Sequence, residues 1–124
     1  MLTEEIEADL DRAKEGLKSA ERKLQIGDLF TAANRIFVAC ENAVCVLLKL
    51  KFGSSSISRI RIITRLNEID KEAKKAYDES YDLRVQADYG RESKIVPLNK
   101  ENVERVLKKV KEILKRAEDA VKNR

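Results

Sequence analysis

An all-α fold is predicted by three observations: apolar residues recur in three- and four-residue steps, only one proline and four glycines interrupt the chain, and charges of both signs are abundant. Hydrophobic residues make up 43% and charged residues 39% of the 124 positions. That length and balance allow one domain with a real core and speak against disorder. The expected architecture is an up-and-down bundle of four long antiparallel helices plus one short helix, in a single domain over 1–124.

Each element has its own signal. Ile6, Leu10, Ala13, Leu17, Ala20 and Leu24 form one apolar stripe on a first helix, which Gly27 closes. Asp28 caps a second helix carrying Leu29, Ala33, Ile36, Phe37, Cys40, Ala43, Val44, Leu47 and Leu48. Between Arg35 and Lys49 its only charge is Glu41, so this helix is expected at the centre, surrounded on most sides. Gly53 and Ser54-Ser55-Ser56 break the pattern as a loop.

A short third helix is expected from about Ser58 to Asn67, offering Ile60, Ile63 and Leu66 to the core. A fourth runs from near Asp70 to Tyr89, its stripe formed by Ile69, Ala73, Ala76, Ser80, Leu83 and Ala87, and Gly90 stops it. The stretch Arg91 to Pro97 reads as a polar loop in which Lys94-Ile95-Val96 could pair locally. Asn99 then caps a last helix with Val103, Val106, Val110, Ile113, Ala117 and Ala120 in heptad-like steps.

The net charge of +4 and pI near 9.1 permit nucleic-acid binding without demanding it. Cys40 and Cys45 lie in an apolar helical stretch and read as small core side chains, not as a disulfide framework or a zinc site. The acidic start, Thr3-Glu4-Glu5, argues against a signal peptide, and the longest apolar run, Ala43 to Leu48, falls short of a membrane span. A cytoplasmic protein without membrane attachment is the expectation.

The chain contains no histidine. It therefore has no Ser-His or Cys-His nucleophile pair, no imidazole metal ligand and no imidazole base, and no catalytic residue, metal ligand or cofactor is assigned. Gly53-Ser54-Ser55-Ser56 lacks the glycine spacing and lysine of a phosphate-binding loop and reads as a turn.

The fourth helix carries the candidate site, because Tyr77, Tyr81, Arg84 and Asp88 recur at steps of three and four and share a face, with Tyr89 beside them. Two readings fit. In one, Arg84 and Asp88 form an intrahelical ion pair while the tyrosines fill space at the bundle edge. In the other, Arg84 offers a cationic fork for phosphate and the rings stack on a base. A run of cations, Lys49, Lys51, Arg59, Arg61 and Arg65, without an acidic residue between Glu41 and Glu68, either attracts RNA or an acidic partner or is a solvated face.

Taken in order, Ala32-Ala33-Asn34-Arg35-Ile36-Phe37-Val38-Ala39-Cys40-Glu41-Asn42-Ala43 with Leu47-Leu48, Leu83 to Tyr89, and the helix from Asn99 to Val121 resemble the HEPN domains, small helical bundles named for higher eukaryotes and prokaryotes nucleotide-binding, in particular the small prokaryotic stand-alone type. The resemblance implies a five-helix bundle, homodimers and, in many members, a metal-independent ribonuclease whose arginine is followed after four to six residues by a histidine. Arg84 looks like that arginine. Where the histidine would stand, this chain has Tyr89, or Gly90 and Arg91 at longer spacings, none of which replaces an imidazole at neutral pH. Other members are paired with minimal nucleotidyltransferases as toxin and antitoxin. The leading expectation is thus a non-catalytic, dimeric HEPN-like binding module that engages a nucleotidyltransferase partner, a nucleotide or RNA through Arg84, Asp88, Tyr81, Tyr77 and Tyr89. A metal-independent ribonuclease with a degenerate site, using Arg84 with Asp88, Tyr81 or Tyr89 in place of the missing histidine, is the alternative, and a purely structural interaction protein is the third reading.

Overall fold

The computed structural model describes residues 2–55 and 58–124. Five helices follow one another: α1, Leu2–Gln25; α2, Leu29–Phe52; α3, Arg59–Ile69; α4, Lys71–Tyr89; and α5, Lys100–Lys122. No strand occurs among the described residues.

Local chemistry sets the ends. Asp28, Asp70 and Asn99 each accept a hydrogen bond from the backbone N–H three residues on, at 3.0, 3.0 and 2.8 Å, which satisfies donors that a helix start leaves open. Gly90 ends α4 at φ +65°, a left-handed conformation that costs a glycine little and a side-chain-bearing residue more. Ser56, part of the expected Gly53–Ser56 turn, lies outside the described residues.

α2 touches all four other helices. Its Ile36, Phe37, Cys40, Val44 and Leu48 are buried, as are Ile6, Leu10, Ala13, Leu17 and Ala20 of α1 and Val103, Val106, Val110, Ile113 and Ala117 of α5. By length and composition α2 is long and apolar enough to cross a membrane, and more than half of its most apolar window is covered by the other helices, as in a core helix. One close approach was not anticipated. A Cβ on Gly16 would stand 3.1 Å from the Ala39 Cβ and 3.2 Å from the Arg35 carbonyl, so α1 and α2 cross there almost backbone to backbone.

α3 differs from expectation at both its end and its face. It continues to Ile69, and it buries Ile62 and Leu66 with Ile63 half-buried, while Ile60 is 78% exposed. Ile60 and Ile62 stand about 200° apart around a helix, and α3 has only one face against α4 and α2. The expected local pairing of Lys94-Ile95-Val96 is also replaced. Their backbone N–H groups donate to the Asp82 carboxylate, at 3.0 Å for Ile95 and for Val96, so an α4 side chain does what a partner strand would have done.

Candidate functional site

The site forms where one face of α2 meets one face of α4. Asn34, Phe37 and Glu41 lie within about two turns of α2, and Tyr77, Tyr81, Arg84 and Asp88 follow one face of α4. Phe37 is the hub. Its ring centroid is 5.5 Å from Tyr77 and 5.5 Å from Tyr81, the latter edge-on at 68°, and the Arg84 guanidinium carbon lies 5.3 Å from it. Arg59 of α3 closes the far end, its guanidinium carbon 3.7 Å from the Tyr81 centroid and 5.3 Å from Tyr77.

Arg84 is held in place. Its Nε donates to Asp88 Oδ2 at 3.1 Å, and Asn34 Nδ2 donates to the same oxygen at 3.0 Å. The Arg84 side chain is 33% exposed. Its two Nη groups make no hydrogen bond to the described residues, so the fork is oriented from behind and open in front. Glu41 sits close enough to feel Arg84: burial pushes its carboxyl up from the ordinary range, and the Arg84 charge works against that rise.

The tyrosines do not form one presented surface. Tyr77 is 2% exposed, and its hydroxyl is pushed up to about 12 by burial, with Arg59 opposing and Glu41 adding to the shift. Its ring belongs to the core. Tyr81 is half-buried with one face taken by Arg59. Tyr89 is exposed past the column, and its neighbour is Arg91, whose guanidinium carbon lies 5.6 Å from the ring. Structure thus joins Tyr77, Tyr81, Arg84 and Asp88 through Phe37 and leaves Tyr89 apart.

In the sequence Phe37 is one residue of the apolar α2 stripe and Asn34 and Glu41 are polar positions three residues before it and four after it, which was the available signal. Asp82 gave less warning. It is buried, and besides the loop amides it accepts from Gln86 Nε2 at 3.2 Å and Ser93 Oγ at 3.4 Å. Gln86 in turn donates to the Val96 carbonyl at 2.7 Å and accepts from the Leu98 N–H at 2.9 Å. Together they clasp residues 93–98 to α4 beside the site.

The run of cations is divided. Lys49 pairs with buried Asp9 at 2.6 Å, Arg59 covers Tyr81, Arg65 lies 4.5 Å from the Phe52 ring, and Lys51 and Arg61 face solvent. Cys40 and Cys45 are free thiols, and burial pushes Cys40 up to about 12 and raises Cys45, so neither supplies a ready thiolate. Among the described residues no group of three Cys, Asp or Glu side chains converges to hold a metal ion.

The family model of the HEPN domain matches residues 6–120, nearly the whole chain. The chain belongs to the HEPN domain family. Comparison with curated proteins finds no match. The HEPN family is linked to nucleotide or RNA binding and to ribonuclease activity. In this HEPN chain the exposed end of the α2–α4 seam holds one oriented arginine, one carboxylate paired to it and a second carboxylate raised by burial. An oriented cation beside an open surface can bind an anionic group.

Proposed function

We propose that this HEPN chain is a non-catalytic binding module, a cytoplasmic homodimer that engages a nucleotide, RNA or a minimal nucleotidyltransferase partner through the Arg84 face, in a toxin–antitoxin-like setting. In this reading 1–124 is one domain, with its four long helices running antiparallel. The observation that carries the reading is the oriented Arg84 fork, fixed by Asp88 and Phe37 while both Nη groups stay open. Labelled RNA titrated against the wild type and Arg84→Ala tests it, beside light scattering for the dimer. Equal RNA affinity in the two proteins, both folded, would remove Arg84 from the binding surface.

A second reading, a ribonuclease with a degenerate site, is favoured by one observation. Glu41 is an acid–base candidate beside Arg84 whose carboxyl burial raises above the ordinary range, the Arg84 charge opposing the rise. Incubation with RNA separates the two: cleavage that copurifies with the folded protein and vanishes in Glu41→Gln and Arg84→Ala would make the chain an enzyme.

A further inference from the structure

The corner where α2 gives way to α3 carries cations that no carboxylate neutralises. No acidic residue stands between Glu41 and Glu68. Lys49 and Arg59 of that stretch pair with Asp9 and Asp78. Lys51, Arg61 and Arg65 have no ion pair among the described residues, and Arg65 instead lies over the Phe52 ring at 4.5 Å. Glu68, the next acid in the chain, is about 12 Å along α3 from Ile60.

An open groove of about 680 Å³ runs along this corner, and its lining holds no carboxylate: Arg61 and Arg65 stand there beside Ile60, Thr64 and serines of the loop. Ile60 is 78% exposed and Phe52 37%. One exposed isoleucine is ordinary on a protein surface, but here an isoleucine and a phenylalanine share an acid-free surface with three unpaired cations. Ile62 and Leu66 anchor the inner face of α3, so the outer face with Ile60, Arg61 and Thr64 is presented by a fixed helix.

We propose that this surface docks an acidic segment of a partner protein, its carboxylates on Lys51, Arg61 and Arg65 and an apolar side chain on Ile60 beside Phe52. Charge complementarity selects an acidic occupant. The apolar pair selects a peptide over RNA. Single-stranded RNA is held by cations together with aromatic rings open to stacking; Ile60 has no such ring, and the Phe52 ring already carries Arg65. A segment that alternates acidic and apolar residues uses every one of these side chains. Phe52 lies about 22 Å along α2 from Phe37, the ring on which Arg84 packs, so the inference holds whether or not the Arg84 reading does.

Anisotropy titration of the full chain tests it, with a labelled glutamate-rich peptide carrying a leucine in each helical turn, the same peptide with serine for leucine, and a single-stranded RNA of equal net charge. The leucine peptide should bind saturably, and the serine peptide about tenfold more weakly, the lower end for burying one large aliphatic side chain. Ile60→Ser should cause a similar loss with an unchanged melting temperature, since that side chain is exposed. Arg61→Gln combined with Arg65→Gln should weaken the leucine peptide by about fivefold, as for two exposed ion pairs, and added salt should weaken it further. Arg84→Ala should bind the peptide as wild type does, which separates a failure here from a failure of the Arg84 reading. Absence of saturable binding, wild-type affinity in Ile60→Ser, or tighter binding of the RNA than of the leucine peptide would overturn the proposal. Self-association by light scattering that Ile60→Ser abolishes would overturn it too, making a second copy of the chain the occupant.

Discussion

Asn34 and Asp88 are 54 residues apart in sequence, yet the Asn34 amide donates to Asp88 Oδ2 at 3.0 Å and locks the carboxylate that orients Arg84. A bare intrahelical Arg84–Asp88 pair would be one of many surface ion pairs worth little. Anchored across helices, the pair becomes a fixed feature of the α2–α4 seam.

Asp88 therefore both positions Arg84 and competes for its charge, and two substitutions should have opposite effects. Arg84→Ala is expected to weaken an anionic ligand by roughly 1.5–3 kcal/mol. Asp88→Asn keeps the hydrogen-bonding shape but removes the negative charge, and should strengthen the same ligand by on the order of 1 kcal/mol. Both should shift the melting temperature only slightly. Anisotropy titrations with labelled RNA, beside thermal melts, check the signs; a melting temperature that collapses in Arg84→Ala with binding per folded molecule intact would make the arginine purely structural.

Removal of the Asp82 carboxylate should free the segment that follows α4. Asp82→Ala leaves the amides of Lys94, Ile95 and Val96 without their acceptor, at an expected loss of roughly 1–3 kcal/mol. Hydrogen exchange should report that those three amides lose protection while the centre of α2 keeps its own. Unchanged protection there would show that the loop is held by Gln86 alone.

Gly16 should resist enlargement. Gly16→Val forces side-chain atoms into the Ala39 and Arg35 backbone, and overpacking of this kind costs about 1–3 kcal/mol. Urea denaturation measures it. An unchanged midpoint would mean that α1 and α2 can part at little cost.

Glu41 and Asp28 should give opposite pH responses. The Glu41 carboxyl is raised in the fold, chiefly by burial, so its ionisation works against folding, and its contribution falls as pH rises through the shifted value. Glu41→Gln should then be more stable than wild type at neutral pH, the gap closing on acidification into the range where Glu41 is protonated. Asp28 is lowered by its cap bond to Thr31; its contribution is present above the ordinary carboxylate range and lost as pH falls through the folded value. Melts of Glu41→Gln and Asp28→Ala across the acid range check both signs.

Much of this protein was determined by the sequence on its own. The stripes of α1, α2 and α5, the caps Asp28, Asp70 and Asn99, and the stop at Gly90 depend on residues within a few positions of one another, and local periodicity and backbone geometry are enough to specify them. The Arg84–Asp88 pair was legible for the same reason, being one turn apart. What only the tertiary structure decided is every partnership between elements: Asn34 with Asp88, Phe37 among Tyr77, Tyr81 and Arg84, Arg59 over Tyr81, Asp82 under the loop, and Gly16 against Ala39. Ile60 shows the limit, since its apolar side chain suits a core but α3 docks on the other face. Periodicity says that a helix has a buried side; how far the helix is rotated about its axis and where it crosses its neighbour follow from the packing of all the helices at once.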